Sequence, residues 1–338
     1  MTTSTSTSTS TRNSTSNSNS KATRAGTSSS TTYTMKSIAT YAVGGGSHPT
    51  VSMNDKSTIV VGWASTASTN IYYKVGVPDA DGQTWEWGEQ TQYDGGNAAS
   101  LAVNNSNVVV DVHRSSTGSN NLFCRVGAVD LSSRSISWGE SIEFDGGGDP
   151  YVSLNDNNRV VAVWSSTNST NLYYRSGTVD PRLRTITWEG GHKFSAGSHP
   201  TVSINNNNTV IFGWASTAST KLLYQVGSLA SDGTLFAAPS VEYDNGDHDC
   251  LTIDDSNLVW ESHKSSNSNT SYYAVGTLIT NTPVWTINWD TLDYPNETTS
   301  KVIISMPPGG QSENKNGVSI ILNGTDLSVN LWLIGPVS

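Results

Sequence analysis

A unit of about fifty residues repeats along the chain. Each unit carries a tyrosine or phenylalanine followed at once by a turn, and this aromatic signature recurs at Tyr41, Tyr93, Phe144, Phe194, Tyr243 and Tyr294. Such a short, regular period leaves room only for small secondary-structure elements. The repeat therefore determines the fold, and the fold determines where a ligand can bind.

Each unit is predicted to contain four short strands. In the first unit they cover residues 49–54, 58–65, 70–77 and 84–93. β-Branched and aromatic residues fill these segments, turn residues separate them, and no helical period interrupts them. Four antiparallel strands in about fifty residues are typical of a β-propeller blade.

The two ends of the chain indicate the number of blades. Segment 318–335 matches the second and third strands of a unit and lacks an outer strand, whereas segment 36–41 resembles the outer strand at 141–144. We therefore predict an all-β fold over 33–338: a six-bladed β-propeller of four-stranded antiparallel blades, with the N-terminal strand closing the last blade and leaving no open sheet edge. A five-bladed ring with a C-terminal extension is the alternative.

A second symmetry overlies the first. The sequence GSHPTVS occurs at 46–52 and at 197–203, and GWASTAST occurs at 62–69 and at 213–220. Blades 1 and 4 are therefore near copies, and DVHRS at 111–115 has its counterpart in blade 5. This pattern indicates a duplicated block of three blades, so a site in one half predicts a partner across the ring.

Composition narrows the classes of partner. The net charge of −10, without a basic stripe, argues against nucleic acid, and no apolar run reaches membrane-spanning length. Residues 1–32 are rich in Ser, Thr and Asn, lack the apolar stretch of a secretory signal, and are predicted to form a disordered tail. With Cys124 and Cys250 in different blades, a reducing compartment is expected, so the protein is predicted to be cytoplasmic or non-classically secreted.

Strand direction predicts that two sets of loops share one face of the ring, because successive strands of a blade run antiparallel. One set offers aromatic rings beside hydroxyls, and the other offers His or Asp after the glycine turns. Stacking surfaces next to hydrogen-bonding groups suit a sugar. The predicted ligand-binding residues are Trp63, Ser65, His48, His113, Ser115, Asp149, Trp164, Ser166, His199, Trp214, Ser216 and His263.

Each of these residues has a structural alternative. The tryptophans could fill the space between blades, and the His-Pro pairs could tie neighbouring loops together. Asp111 with His113, and Glu261 with His263, lie two residues apart on one side of a strand, which suits general base catalysis as well as a buried polar contact between blades. A hydrolytic site normally occurs once, whereas these pairs occur twice.

The repeated pattern resembles the β-propeller lectins of fungi and bacteria. It combines Gly-x-His/Asp-Pro-x-Val-Ser-x-Asn, Tyr-Tyr-Arg/Lys-x-Gly, Ile-x-Trp-Gly-Glu and Phe/Tyr-Asp-Gly-Gly, over residues 33–338. The resemblance implies several glycan sites. The fucose-binding members use Arg, Glu and Trp in each site, whereas Lys74, Gln225 and Ala274 occupy the arginine column here.

These observations together predict a lectin without catalytic activity, with several shallow glycan sites on one face of the ring and a multivalent recognition or defence role. No cofactor and no metal site is predicted, the partners are glycans or glycoconjugates, and the oligomeric state stays open. The alternatives are a protein-interaction scaffold, or an enzyme that uses Asp111 and His113 or Glu261 and His263.

Overall fold

The computed structural model describes residues 32–80, 82, 84–268, 270–280, 285–293, 297–298, 301–305, 315–323 and 325–336. The regular elements in these ranges are thirty β-strands, grouped into six sheets that form the blades. The predicted six-bladed propeller is confirmed. The predicted tail lies almost wholly outside the described residues, as does Tyr294. Within the described ranges, no helix has the length and apolar character of a membrane span.

The innermost strand of each blade lines the central channel. These strands are short, and their inward residues are mostly buried. In blade order they are β2 (Ser47–Met53), β7 (Asn97–Val103), β12 (Gly148–Leu154), β17 (Ser198–Ile204), β22 (Asp247–Ile253) and β28 (Lys301–Ser305).

The second and third strands form the antiparallel centre of each blade. The second strands are β3 (Ile59–Ala64), β8 (Val108–Arg114), β13 (Arg159–Ser165), β18 (Thr209–Ala215), β23 (Leu258–Lys264) and β29 (Lys315–Asn323). The third strands are β4 (Asn70–Pro78), β9 (Asn121–Asp130), β14 (Asn171–Asp180), β19 (Lys221–Leu229), β24 (Thr270–Ile279) and β30 (Asp326–Pro336).

The outer edge of blades 1 to 5 differs from the predicted single strand, because it is split into two pieces that both pair with the third strand. In blade 1 the break comes at Gly88, where a side chain would collide with the backbone of Arg134 in the next blade. The pieces are β5 (Trp85–Trp87), β6 (Thr91–Gly95), β10 (Ser135–Trp138), β11 (Ile142–Gly146), β15 (Thr185–Trp188), β16 (His192–Ala196), β20 (Leu235–Ala237), β21 (Val241–Asn245), β25 (Thr286–Trp289) and β27 (Glu297–Thr298).

The N-terminal strand closes the ring as predicted. β1 (Thr32–Gly45) runs antiparallel to β30, from the pair Tyr33 and Pro336 to the pair Gly45 and Asp326. A short strand, β26 (Thr291–Asp293), pairs with the other edge of β1 in parallel. Backbone hydrogen bonds therefore join the first described residues to the last ones, and the seam has no open edge.

The hydrophobic core consists of layers between consecutive blades. The layer between blades 2 and 3, for example, contains Val110, Leu122, Val152 and Ala162, all buried. In three cases the signature aromatic of one blade reaches the outer strand of the next, where it stacks on a tryptophan. The ring centroids are 4.9 Å apart for Tyr93 and Trp138, 5.0 Å for Phe144 and Trp188, and 5.5 Å for Tyr243 and Trp289. The aromatic signature is thus an inter-blade contact.

In blades 1 to 4, an asparagine that follows the inner strand joins neighbouring blades on the lower face. Asn155 accepts the backbone N–H groups of Asn157 and Arg159, and its Nδ2 donates to the carbonyl oxygen of Asn205, 2.9 Å away in the next blade. The equivalent contacts start from Asn54, Asn104 and Asn205. Each of these four side chains is buried and satisfies backbone groups that would otherwise lack partners.

Candidate active site at the mouth of the central channel

Each of the first five inner strands begins with a β-bulge, in which two residues face one residue of the second strand. The first bulge residue has a left-handed backbone, with φ between 46° and 52°. These residues are His48, Ala98, Asp149, His199 and His248. A left-handed conformation is uncommon for residues other than glycine, and such strain concentrates at functional sites.

The five bulges surround a pocket at the upper end of the channel, which we call the mouth pocket. It encloses about 110 Å³ and is lined by the bulge residues together with the residues that follow them. Tyr151 forms its floor: the ring projects from blade 3, and the phenolic oxygen lies 3.2 Å from Sγ of Cys250 in blade 5. The upper face therefore holds one central concavity, a common place for a small-molecule site.

Asp249 breaks the repeat in this pocket. The residue after the bulge is Pro49, Ala99, Pro150 or Pro200 in blades 1 to 4, and a carboxyl group replaces it in blade 5. The Asp249 side chain is 1% exposed, and among the described residues neither of its oxygens has a hydrogen-bond partner. Burial, reinforced by the nearby charge of Glu261, raises the pKa of Asp249 well above its usual range. Burial therefore favours the protonated form of this carboxyl group in the wall of the pocket.

The surroundings of Asp249 make room for this acid. Its Oδ2 lies beside Gly213, where a larger residue would displace the carboxyl group. Thr201 in blade 4 also lines the pocket, and within the described residues its buried hydroxyl likewise lacks a hydrogen-bond partner. Unsatisfied buried polar atoms are rare in folded proteins. Their presence together at the edge of a cavity favours a bound ligand or water as the missing partner.

Asp247 lies two residues before Asp249 and contacts two imidazoles. Its carboxylate oxygens are 3.1 Å from Nδ1 of His199 and 2.9 Å from Nδ1 of His248, and the two rings stack with centroids 3.9 Å apart. These contacts hold the pKa of Asp247 well below its usual range, so it is a carboxylate. Atoms of His199, Asp247 and His248 that could bind a metal ion lie within 4.8 Å of one another, a spacing that would admit a cation. Nδ1 of each histidine, however, already contacts a carboxylate oxygen of Asp247. We describe the three side chains as an ion-pair cluster.

A third carboxyl group lies on the wall contributed by blade 3. Asp149 is the bulge residue there, its side chain is exposed, and its Oδ2 lies 3.4 Å from the hydroxyl of Ser165. Asp149 and Asp249 therefore line one pocket from blades that are not adjacent. A ligand in the pocket would lie between them.

The predicted aromatic sugar platforms are not on the surface. Trp63, Trp164 and Trp214 are only 1–2% exposed, because each faces the bulge of its own blade and packs against a glycine just before it. A side chain on Gly46, Gly147 or Gly197 would collide with these indoles. The prediction that the three indoles stack on sugar rings is therefore corrected: they are core residues.

The predicted polar residues separate into two groups. His48, Asp149 and His199 meet at the mouth pocket. The hydroxyl oxygens of Ser65, Ser115, Ser166 and Ser216 instead accept backbone N–H groups within their own turns. The histidines and the aspartate of the predicted separate sites therefore line one central pocket. The serines instead stabilise the turns in which they lie.

The two acidic–histidine pairs lie inside the protein. Nδ1 of His113 is 2.6 Å from Asp111, which also accepts a hydrogen bond from Tyr93 of the preceding blade. Nδ1 of His263 is 2.8 Å from Glu261, which accepts a hydrogen bond from Tyr243 in the same way. All four members of the pairs are at most 4% exposed.

The pKa of His113 and that of His263 reflect opposing effects. Burial disfavours the charged imidazolium, but the adjacent carboxylate outweighs burial, and both pKa values are raised. Both pairs join adjacent blades, and neither reaches the mouth pocket. The alternative of an enzyme centred on Asp111 and His113 therefore has no accessible site.

The list of predicted ligand-binding residues left out Asp249, Asp247 and Tyr151. The signal for Asp249 is present in the aligned repeats, since an aspartate stands where the other blades carry proline or alanine. Tyr151 is likewise the large member of a column that otherwise contains Thr50, Ser100, Thr201 and Cys250. Departures from the repeat, rather than the repeat itself, mark the pocket.

Comparison with solved structures finds the same fold in proteins of very different sequence. An alpha-L-arabinanase from Penicillium chrysogenum, solved with arabinobiose, has a TM-score of 0.57 at 9% identity over 88% of this chain and 98% of that one. A GH93 alpha-L-arabinofuranosidase from Fusarium graminearum, also with arabinobiose, has a TM-score of 0.55 at 10% identity over 88% and 97%. A protein of unknown function from Dyadobacter fermentans reaches 0.60 at 9% identity over 90% and 99%. No family model matches the chain, and no curated protein matches its sequence.

These neighbours correct the prediction of a lectin without catalytic activity. The two with a named activity are enzymes, an alpha-L-arabinanase and an alpha-L-arabinofuranosidase, and both share the fold of this chain. At 9–10% identity the likeness shows the fold alone. The burial of Trp63, Trp164 and Trp214 removes the structural basis for repeated lectin sites.

Proposed function

We propose that the chain is a glycoside hydrolase that cleaves its substrate in the mouth pocket. The observation that carries this proposal is Asp249, a buried carboxyl group in the wall of the pocket, whose raised pKa favours the protonated form and whose oxygens have no hydrogen-bond partner outside Asp249 itself among the described residues. A proton donor of this kind is what the departure of a sugar leaving group requires.

The pocket also supplies the second group of such a reaction. Glycosidases place two carboxyl groups on either side of the bond they cleave. Asp249 donates its proton to the glycosidic oxygen as the bond from that oxygen to the anomeric carbon breaks. Asp149, from blade 3, accepts a proton from the water whose oxygen forms the new bond to that carbon. The charged Asp247 cluster beside them binds sugar hydroxyls.

The floor and rim limit the substrate to a chain end or a short branch. Tyr151 closes the channel below the pocket, so a polysaccharide cannot pass through the ring. The structural neighbours solved with arabinobiose support linked arabinose residues as the first substrates to test.

The test is hydrolysis of a panel of neutral disaccharides and oligosaccharides that includes arabinobiose, with wild-type protein and the Asp249→Asn and Asp149→Asn variants. The account predicts release of monosaccharide by the wild type and a loss of about 10²–10⁴-fold in either variant. Hydrolysis that survives unchanged in Asp249→Asn would reject this assignment of the acid. Absence of hydrolysis on every glycoside of the panel would reject the proposed function.

A further inference from the structure

Among the five bulges that the structure describes at the mouth pocket, the bulge of blade 2 carries the smallest side chain. The five bulge positions carry His48, Ala98, Asp149, His199 and His248, so four have a long or charged side chain and one has a methyl group. The backbone is alike at all five, since φ lies between 46° and 52°. The missing bulk at Ala98 is therefore a property of the sequence at that blade and not of a different local fold.

A groove starts at this bulge. It encloses about 310 Å³ and shares His48, Ala98 and Asp149 with the mouth pocket, so the two spaces adjoin. From Ala98 it runs outwards between the turn that follows β3 in blade 1 and Arg114 at the end of β8 in blade 2. Its volume lies in the range typical of small-ligand sites. The groove opens on the side of the ring opposite blade 5, which carries Asp249.

The lining of the groove suits a neutral, hydroxylated chain. Hydroxyl groups of Ser47, Ser68, Thr69 and Ser116 line it, and these can both donate and accept hydrogen bonds. Arg114 supplies a guanidinium whose Nη2 donates to Oδ1 of Asn120 at 2.8 Å, which fixes its position. Planar guanidinium groups offer several donors to oxygen atoms of a ligand.

We infer that this groove, which we call the Ala98 groove, binds the part of an oligosaccharide that lies beyond the cleaved bond. The inference rests on the proposed function and extends it: the enzyme prefers substrates with several sugar residues over a disaccharide. The terminal residue lies near Asp249, the chain passes over Ala98, and the following residues lie along Arg114 and the serine hydroxyls. Contacts remote from the reacting bond raise kcat/KM for the longer chain.

The experiment fills the groove with Ala98→His. Histidine occupies the same bulge position in blades 1, 4 and 5 with φ of 49–52°, so the backbone accepts it. A matched control, Leu131→His, places the same imidazole in blade 2 on an exposed turn after β9, away from the mouth. The measurement is kcat/KM for arabinose oligomers of increasing length, with arabinobiose as the shortest.

The inference predicts that Ala98→His removes the length preference: the ratio of kcat/KM for the longer oligomers to kcat/KM for arabinobiose falls by about tenfold or more. Leu131→His should preserve the full length preference. An unchanged length preference in Ala98→His, with hydrolysis intact, would overturn the groove and leave the proposed function standing.

Equilibrium binding separates the two proposals. Titration calorimetry compares the affinity of the same oligomers for the Asp249→Asn variant and for the double variant Asp249→Asn with Ala98→His. Neither protein should turn the oligomers over, so the difference in affinity reports binding in the groove. Weaker binding of long oligomers in the double variant supports the groove even if the wild type hydrolyses none of them. If the long oligomers bind both proteins equally, or bind neither, the groove is rejected.

Discussion

A carboxyl oxygen of Asp249 fills the space beside Gly213 where any larger residue would place its Cβ. Gly62 is the equivalent glycine of blade 1, the near copy of blade 4. A Cβ at Gly62 would lie 2.6 Å from Cδ1 of Leu101, and a Cβ at Gly213 would lie 2.6 Å from Cδ1 of Leu251. The two glycines share one packing constraint, and of the pair Gly213 alone adjoins the proposed acid.

This relationship predicts different effects of two equivalent substitutions. Gly213→Ala and Gly62→Ala should each lower the free energy of unfolding by about 1–3 kcal/mol through overpacking. Gly213→Ala should also displace the Asp249 carboxyl group and lower kcat by about tenfold or more. Denaturant unfolding and glycoside hydrolysis measure the two effects. Equal losses of activity in the two variants would mean that the contact with Asp249 does not matter for turnover.

Asp249 should make stability depend on pH. Its pKa is raised in the folded protein, so its contribution to stability is fully present below about pH 4, where an unfolded aspartate protonates, and is lost as pH rises towards the folded pKa. Asn cannot ionise. The melting temperature of Asp249→Asn relative to wild type should therefore increase between pH 4 and pH 7.

An aspartate with the opposite shift provides the control for this measurement. Hydrogen bonds from Ser132 and Ser133 lower the pKa of Asp130 to about 2. Its contribution is present above about pH 4 and is lost as pH falls through the folded pKa. Asp130→Asn should lose stability relative to wild type at neutral pH and recover in acid. If both variants showed the same pH trend, the assigned state of Asp249 would be wrong.

The buried pair of blade 2 predicts a second pH effect. The pKa of His113 is raised, because the Asp111 carboxylate outweighs the cost of burial. The stabilising charge is fully present below about pH 6.5 and is lost as pH rises through the folded pKa. His113→Gln should cost on the order of 3 kcal/mol at pH 6, with a smaller cost at pH 9. Chemical denaturation at the two pH values measures this difference, and an equal cost at both would contradict the charged pair.

The asparagine links of the lower face should control ring stability without affecting the site. Asn155→Ala removes two acceptor contacts within its turn and the donor contacts to Asn205 and Asn208, for an expected loss of about 3 kcal/mol. Asn155→Asp keeps the acceptors, as Asp254 does at the equivalent position of blade 5. Asn155→Asp should therefore lower the free energy of unfolding by less than Asn155→Ala does. Urea unfolding of the two variants tests the ranking, and a larger loss in Asn155→Asp would contradict it.

The fold could be predicted from the sequence because the residues that define each blade recur about every fifty positions. The aromatic signature, the glycine turns and the resemblance of segment 36–41 to an outer strand sufficed for six blades and for closure by β1. The split outer strand was missed, because the cause at Gly88 is contact with the next blade rather than a local preference.

The site was harder to predict because side-chain direction depends on the bulges. Regular alternation along β3 would leave Trp63 free to face a ligand, whereas the bulge at His48 covers the indole and turns its own side chain to the mouth. Function was expected where the repeat is strongest. The residue that carries the proposal, Asp249, instead departs from the repeat.

The most direct test of the central claim compares two leaving groups. A natural disaccharide such as arabinobiose needs a proton at the departing oxygen, whereas a nitrophenyl glycoside of the same sugar departs without one. The account predicts that Asp249→Asn loses hydrolysis of the disaccharide by about 10²-fold or more and retains most of its activity on the nitrophenyl glycoside. Equal loss on both substrates, or no loss on either, would contradict the role of Asp249 as the acid.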